Sequence, residues 1–188
     1  MNDEVPMQKR LIFDSHQLDI TISRLSQQLI ENHGFFESSV ILGMQPRGIY
    51  LAERIKSKLE AILDKRIDLG YLDTTFYRDD FRRKGTPLKA NATKVPFIIE
   101  DKKVILIDDV LYTGRTVRAA LDAMIAFGRP QKVELLTLVN RKYSRDLPIE
   151  ADYIGRNVHT TESQRVLVEW REQGVENDNI WLINIKED

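Results

Sequence analysis

The chain has 188 residues, 42% hydrophobic and 30% charged, enough for one substantial core and without the signature of low-complexity disorder. Cysteine is absent, which excludes disulfides, thiolate nucleophiles and zinc-thiolate centres, so any metal must bind oxygen or imidazole. A formal charge of -1, from 28 basic and 29 acidic residues, is not that of an obligate nucleic-acid binder, so RNA binding has to be argued from position. No apolar run approaches the roughly 18 residues of a membrane span. The opening MNDEVPMQKRLIFDS lacks the apolar centre of a signal peptide. One soluble domain in the cytoplasm, without membrane partners, is the expectation.

In chain order, the first predicted element is an amphipathic helix over 14–32, where Leu18, Ile22, Leu25 and Leu29 recur at helical spacing. Asp14 or Ser15 can cap its start, and Gly34 follows its end. SSVILGM (38–44) reads as a short strand, QPRG (45–48) as a tight loop, and IYLAERIKSKLEAILDK (49–65) as a helix with Leu51, Ile55, Leu59 and Ile62 on one face. A second strand is predicted at 67–77. The segment after it, RDDFRRKGTPLKANATK (78–94), is charged, contains Gly85 and Pro87, and has no apolar period, as lids and disordered segments do. The unit then repeats as strand KVILIDD (103–109), loop VLYTGRT (110–116), helix VRAALDAMIAFG (117–128) and strand KVELLTLVN (132–140). Strands alternating with helices predict an α/β fold with a mostly parallel central sheet and helices on both faces. The remaining residues are mixed, with strand-like runs at RVLVEW and IWLINI, and neither an internal repeat nor a linker is visible.

The stretch VILIDDVLYTGRT (104–116) carries the chemistry. In open parallel sheets, ligands bind beyond the carboxyl ends of the strands, where loops feed helix N-termini. Asp108 and Asp109 stand at such an end. Tyr112, Thr113, Gly114, Arg115 and Thr116 follow, and their amides and hydroxyls can converge on an anion with the help of the helix dipole. Carboxylates beside that anion can accept hydrogen bonds from vicinal hydroxyls or hold hydrated magnesium. A phosphorylated ribose satisfies all of these. Two adjacent aspartates by themselves could equally cap a turn.

The whole run resembles the phosphoribosyl-pyrophosphate motif of type I phosphoribosyltransferases. Together with GIYLAERI, YRDD, GRP and LPIEADYIGRN, it makes the chain similar to the PyrR family, bifunctional pyrimidine-operon regulators and uracil phosphoribosyltransferases, over roughly residues 11–185. The resemblance implies a type I phosphoribosyltransferase fold with a small hood. It also implies a magnesium-dependent reaction in which uracil displaces pyrophosphate from phosphoribosyl pyrophosphate to give UMP. In many members it further implies UMP-dependent binding to pyrimidine-operon mRNA, and a homodimer or higher homo-oligomer.

On that resemblance, Asp108 and Asp109 serve the ribose hydroxyls and the magnesium shell, and Tyr112 to Thr116 form the 5′-phosphate loop. Pro46, Arg47 and Gly48 match the pyrophosphate loop, where arginine offers a bidentate fork and glycine permits close backbone approach. Tyr77, Arg78, Asp79 and Asp80 match a flexible loop (about 78–94) that closes over the substrates, with Arg47 and Arg78 acting as catalytic cations. The hood falls at about 140–160, with Ile154, Asn157 and Val158 facing the base; His159 reads as a surface or capping residue. Two departures stand out in the pyrophosphate loop: Gln45 replaces a frequent basic residue, and Pro46 a small hydroxyl residue. Proline eases a cis peptide at Gln45–Pro46 only.

RNA binding requires cations along one face. Arg24, Arg141, Lys142, Arg145 and Arg156 are the candidates. Against it, Glu150 stands where RNA-regulating relatives carry a basic residue, and NRKYSRD is one residue longer than the family pattern and lacks its histidine. A purine phosphoribosyltransferase, or an RNA-binding attenuator with little enzymatic activity, is the alternative.

Overall fold

The computed structural model describes residues 9–77 and 92–184. Strand β1 (Lys9–Phe13) leads into helix α1 (Ser15–His33), followed by β2 (Ser39–Met44), α2 (Gly48–Leu63) and β3 (Leu69–Leu72). Further along the chain come β4 (Lys103–Leu111), α3 (Arg115–Met124), β5 (Lys132–Lys142), β6 (Tyr153–His159), β7 (Gln164–Glu169) and β8 (Asn179–Asn184). Strands β3-β2-β4-β5-β6 form a five-stranded sheet, parallel throughout. β1, β8 and β7 form a separate antiparallel sheet of three strands.

The period of two along each strand divides the core. Ile41, Ile105, Ile107 and Leu136 pack with Leu18, Ile22, Leu25 and Leu29 of α1 and Leu51, Ile55 and Leu59 of α2. Their neighbours in sequence, Val40, Leu42, Val104, Leu106 and Leu135, pack with Val117, Ala120, Ala123 and Met124 of α3. The sheet is thus covered on both faces, as the alternation of strands and helices predicts. The small sheet joins the α1/α2 side through Phe13, Val168, Trp170, Ile180 and Leu182. α1 starts on a capping box in which the Asp14 carboxylate accepts from the Gln17 amide at 2.8 Å, and Gly34 at φ 56° ends it.

Three boundaries differ from expectation. The strand predicted at 67–77 stops at Leu72, because the Asp73 carboxylate takes the amide and hydroxyl of Thr75 and turns the chain into a short 3-10 helix at 75–77. β4 runs past the acidic pair to Leu111, and α3 begins at Arg115, because Gly114 at φ 89° serves as its N-cap. The hood segment 140–160 divides: residues 153–159 become β6, hydrogen-bonded to β5, while the separate small sheet is built from the chain's two ends. YIGRNVH has no continuous apolar run, since on this edge strand only Tyr153 and Val158 are buried. Among the described residues, no helix is long and apolar enough to cross a membrane.

Candidate active site

The site begins where β4 ends. Asp108 is half-buried, and its carboxylate accepts the Asp109 amide at 3.0 Å. Asp109 is only 8% exposed. Burial pushes its carboxyl up, while the charge of Arg47 and the Val110 amide pull it back. Arg47 arrives there because of Gly48. A Cβ on Gly48 would stand 2.5 Å from the Ile107 carbonyl oxygen and 3.0 Å from Asp108 Cα, so only glycine lets the first turn of α2 lie against the acidic strand end. The pyrophosphate-loop candidates and the acid pair therefore share one corner. In that loop, the Gln45–Pro46 peptide is cis, Pro46 and Arg47 are exposed, and Gln45 Nε2 donates to the Ala92 carbonyl at 2.9 Å.

The anion-loop candidates follow. Tyr112 is exposed, Thr113 and Thr116 are half-buried, and Gly114 is buried in the left-handed conformation that opens α3. A segment of the β5–β6 connection braces this loop. The amides of Asp146 and Leu147 donate to the Thr113 carbonyl at 3.0 and 3.2 Å, and Arg115 Nε meets the Asp146 carboxylate at 2.9 Å. Arg145 donates to the carbonyls of Leu111, Tyr112, Arg141 and Ile149 and to Asn140 Oδ1. Loop carbonyls that would repel an anion are thereby occupied, while the first amides of α3 lack intrahelical partners.

On the base side, register decides. Asp108, Thr137 and Ile154 lie in one row across the sheet, and Leu111, Asn140 and Asn157 in a row nearer the strand ends. The Asn157 amide oxygen accepts from Asn140 Nδ2 at 2.8 Å. The Ile154 carbonyl accepts from Arg24, and Val158, 6% exposed, has its side chain in the α1/α2 core, leaving only its backbone to meet a ligand. His159 is exposed, with its ring 5.5 Å from that of Tyr143. Tyr77 ends the 3-10 turn with its side chain exposed, whereas Arg78, Asp79 and Asp80 lie outside the described residues.

The cations read as an RNA face are largely occupied. Arg24 donates to the carbonyls of Ile154 and Gly155; Arg156 stacks on Phe13 and donates to the Ile12 carbonyl. Arg145 braces the anion loop, and Arg141 is buried against Tyr112. Sequence reasoning missed the bracing role of residues 140–149. Its one visible signal was the irregular length of NRKYSRD.

The acidic pair at the end of β4 and the glycine turn that opens α3 thus lie together at the carboxyl edge of a parallel sheet, the arrangement expected of a phosphoribosyltransferase. Residues 11–173 match the phosphoribosyl transferase domain. The fold is that of hypoxanthine phosphoribosyltransferases from Trypanosoma cruzi (TM-score 0.70, 12% identity, 94% of this chain and 97% of that one) and Staphylococcus aureus (0.65, 19%, 94% and 92%). Closer in sequence are the bifunctional PyrR proteins of Enterococcus faecalis, 41% identical over 167 residues (89% of this chain, 93% of the relative), and Bacillus subtilis, 42% over 165 residues (86% and 90%). The chain belongs to the PyrR family.

Proposed function

We propose that this phosphoribosyltransferase joins uracil to phosphoribosyl pyrophosphate, giving UMP and pyrophosphate, as a single cytoplasmic domain that assembles at least into a homodimer. The observation that carries the reading is the corner where Gly48 holds Arg47 against Asp108 and Asp109, next to the anion loop. The names of the relatives support uracil as the base. In the reaction the bond from the ribose anomeric carbon to pyrophosphate breaks while the bond to the uracil ring nitrogen forms, and the proton of that nitrogen passes to the released pyrophosphate or to solvent. Positive charge grows on the ribose and negative charge on the leaving pyrophosphate. Asp108 and Asp109 accept the ribose hydroxyls and face the cationic sugar, Arg47 faces the leaving group, and the amides and hydroxyls of Tyr112 to Thr116 anchor the 5′-phosphate.

The donor set fits magnesium shared with the substrate. Among the described residues no group of three or more acidic or imidazole side chains could form a protein-only cage. Asp108 and Asp109 supply the one or two carboxylates typical of a hydrated magnesium ion that also binds substrate phosphates. Magnesium held there, directly or through water, would neutralise charge on the leaving pyrophosphate.

The test is UMP formation from uracil and phosphoribosyl pyrophosphate with magnesium, in competition with hypoxanthine and guanine. Preference for a purine would overturn the reading. A second function, UMP-dependent binding to pyrimidine-operon mRNA, is favoured by the relatives' bifunctional names. Against it, four of its five candidate cations are engaged within the protein, and Glu150 adds a carboxylate near Arg145. A leader-RNA titration with and without UMP decides it.

A further inference from the structure

Arg141 is 5% exposed and has no carboxylate partner among the described residues. Its guanidinium carbon lies 3.7 Å from the centre of the Tyr112 ring, on the anion loop. Its other contacts reach the turn between the two sheets: Nε donates to Thr160 Oγ1 at 2.9 Å, and Nη2 to the Gln164 carbonyl at 2.8 Å. Gln164 begins β7, so one planar cation joins the loop that follows β4 to the first residue of the small antiparallel sheet. Burying a charge beside neutral acceptors alone is costly, and such a charge is retained where a counter-charge arrives. On the phosphate-loop reading, the anion bound beside Tyr112 would supply it.

We infer that Arg141 is a positioning residue for the substrate's 5′-phosphate, clamping Tyr112 and the Thr160–Gln164 turn in the geometry that the phosphate requires. The inference rests on the phosphate-loop reading but not on the identity of the base. Lysine keeps the charge but lacks both the fork and the stacking plane, so the two substitutions separate positioning from charge alone.

The experiment titrates ribose 5-phosphate calorimetrically into wild type, Arg141→Met and Arg141→Lys, beside steady-state kinetics. Arg141→Met is expected to weaken ribose 5-phosphate about tenfold and raise KM for phosphoribosyl pyrophosphate in parallel, with kcat and KM for uracil within about threefold. Arg141→Lys is expected to recover only part. Wild-type affinity in Arg141→Met, full recovery by lysine, or a loss confined to kcat would overturn the clamp. If circular dichroism shows Arg141→Met unfolded, Tyr112→Leu takes its place; it is expected to bind ribose 5-phosphate about threefold more weakly, and unchanged affinity overturns the inference. A wild type that binds ribose 5-phosphate yet transfers no uracil defeats the uracil reading and leaves the clamp to be decided by the same titrations. One that does not bind it defeats the clamp.

Discussion

The two ends of the parallel sheet both bury charged groups, and they do so differently. At the amino end, the His33 side chain, 1% exposed, places Nε2 at 2.8 Å from the Glu134 carboxylate and Nδ1 at 2.9 Å from the Ser39 hydroxyl. Lys132 meets the second Glu134 oxygen, and Tyr153 lies against the same group. Burial holds His33 below its usual range, so a neutral ring donates to Glu134 and accepts from Ser39. Burial also works against the Glu134 carboxylate, but Lys132 and His33 outweigh it and hold its pKa below the usual range. At the carboxyl end, burial outweighs the opposing cation and leaves Asp109 above its ordinary range. A network whose charges are answered from within is a staple, whereas charges left partly unanswered are ready for a ligand.

The sharpest way to break this contrast is the double change Asp108→Asn with Asp109→Asn. Turnover should fall at least about a thousandfold. Because an ionised buried Asp109 costs stability, Tm at neutral pH should stay level or rise. Near-normal turnover would remove the pair from the chemistry. Arg47→Ala should raise the barrier by about 2 to 4 kcal/mol, read in kcat/KM, with little change in Tm.

At the other end the pattern should reverse. Glu134→Gln should lower stability by about 1 to 3 kcal/mol in denaturant titration and leave KM for phosphoribosyl pyrophosphate unchanged. A shifted KM would mean that the ends are not independent. The pH dependence follows from His33. Its folded pKa lies below the ordinary 6.5, so the unfolded chain binds more protons in between. Its contribution is complete above pH 6.5 and is lost as pH falls through the lowered folded value; His33→Asn should flatten that slope in Tm against pH. The smallest effect belongs to Thr113→Val, where losing one phosphate hydrogen bond should weaken UMP by about 0.5 to 1.5 kcal/mol. Unchanged affinity by calorimetry would take that hydroxyl out of the anion loop.

Local chemistry made the position of the candidate site legible. A buried strand, two adjacent carboxylates and a glycine-bearing turn at a helix start are contiguous in sequence, and their placement follows from backbone geometry that a few residues impose. The helix faces were legible for the same reason, since Leu18, Ile22, Leu25 and Leu29 obey one period. What tertiary structure alone decided was every relation between distant segments. Gly48 is needed because the Ile107 carbonyl lies 2.5 Å from where its Cβ would be, a fact about how α2 meets β4 and not about QPRG. Arg141 and Arg145 read as surface cations because the stacking ring and the carbonyls that consume them belong to other loops. The small sheet escaped because its strands come from opposite ends of the chain. A side chain's period reports which face is buried, whereas its partner depends on register and crossover, which only packing of the whole core selects.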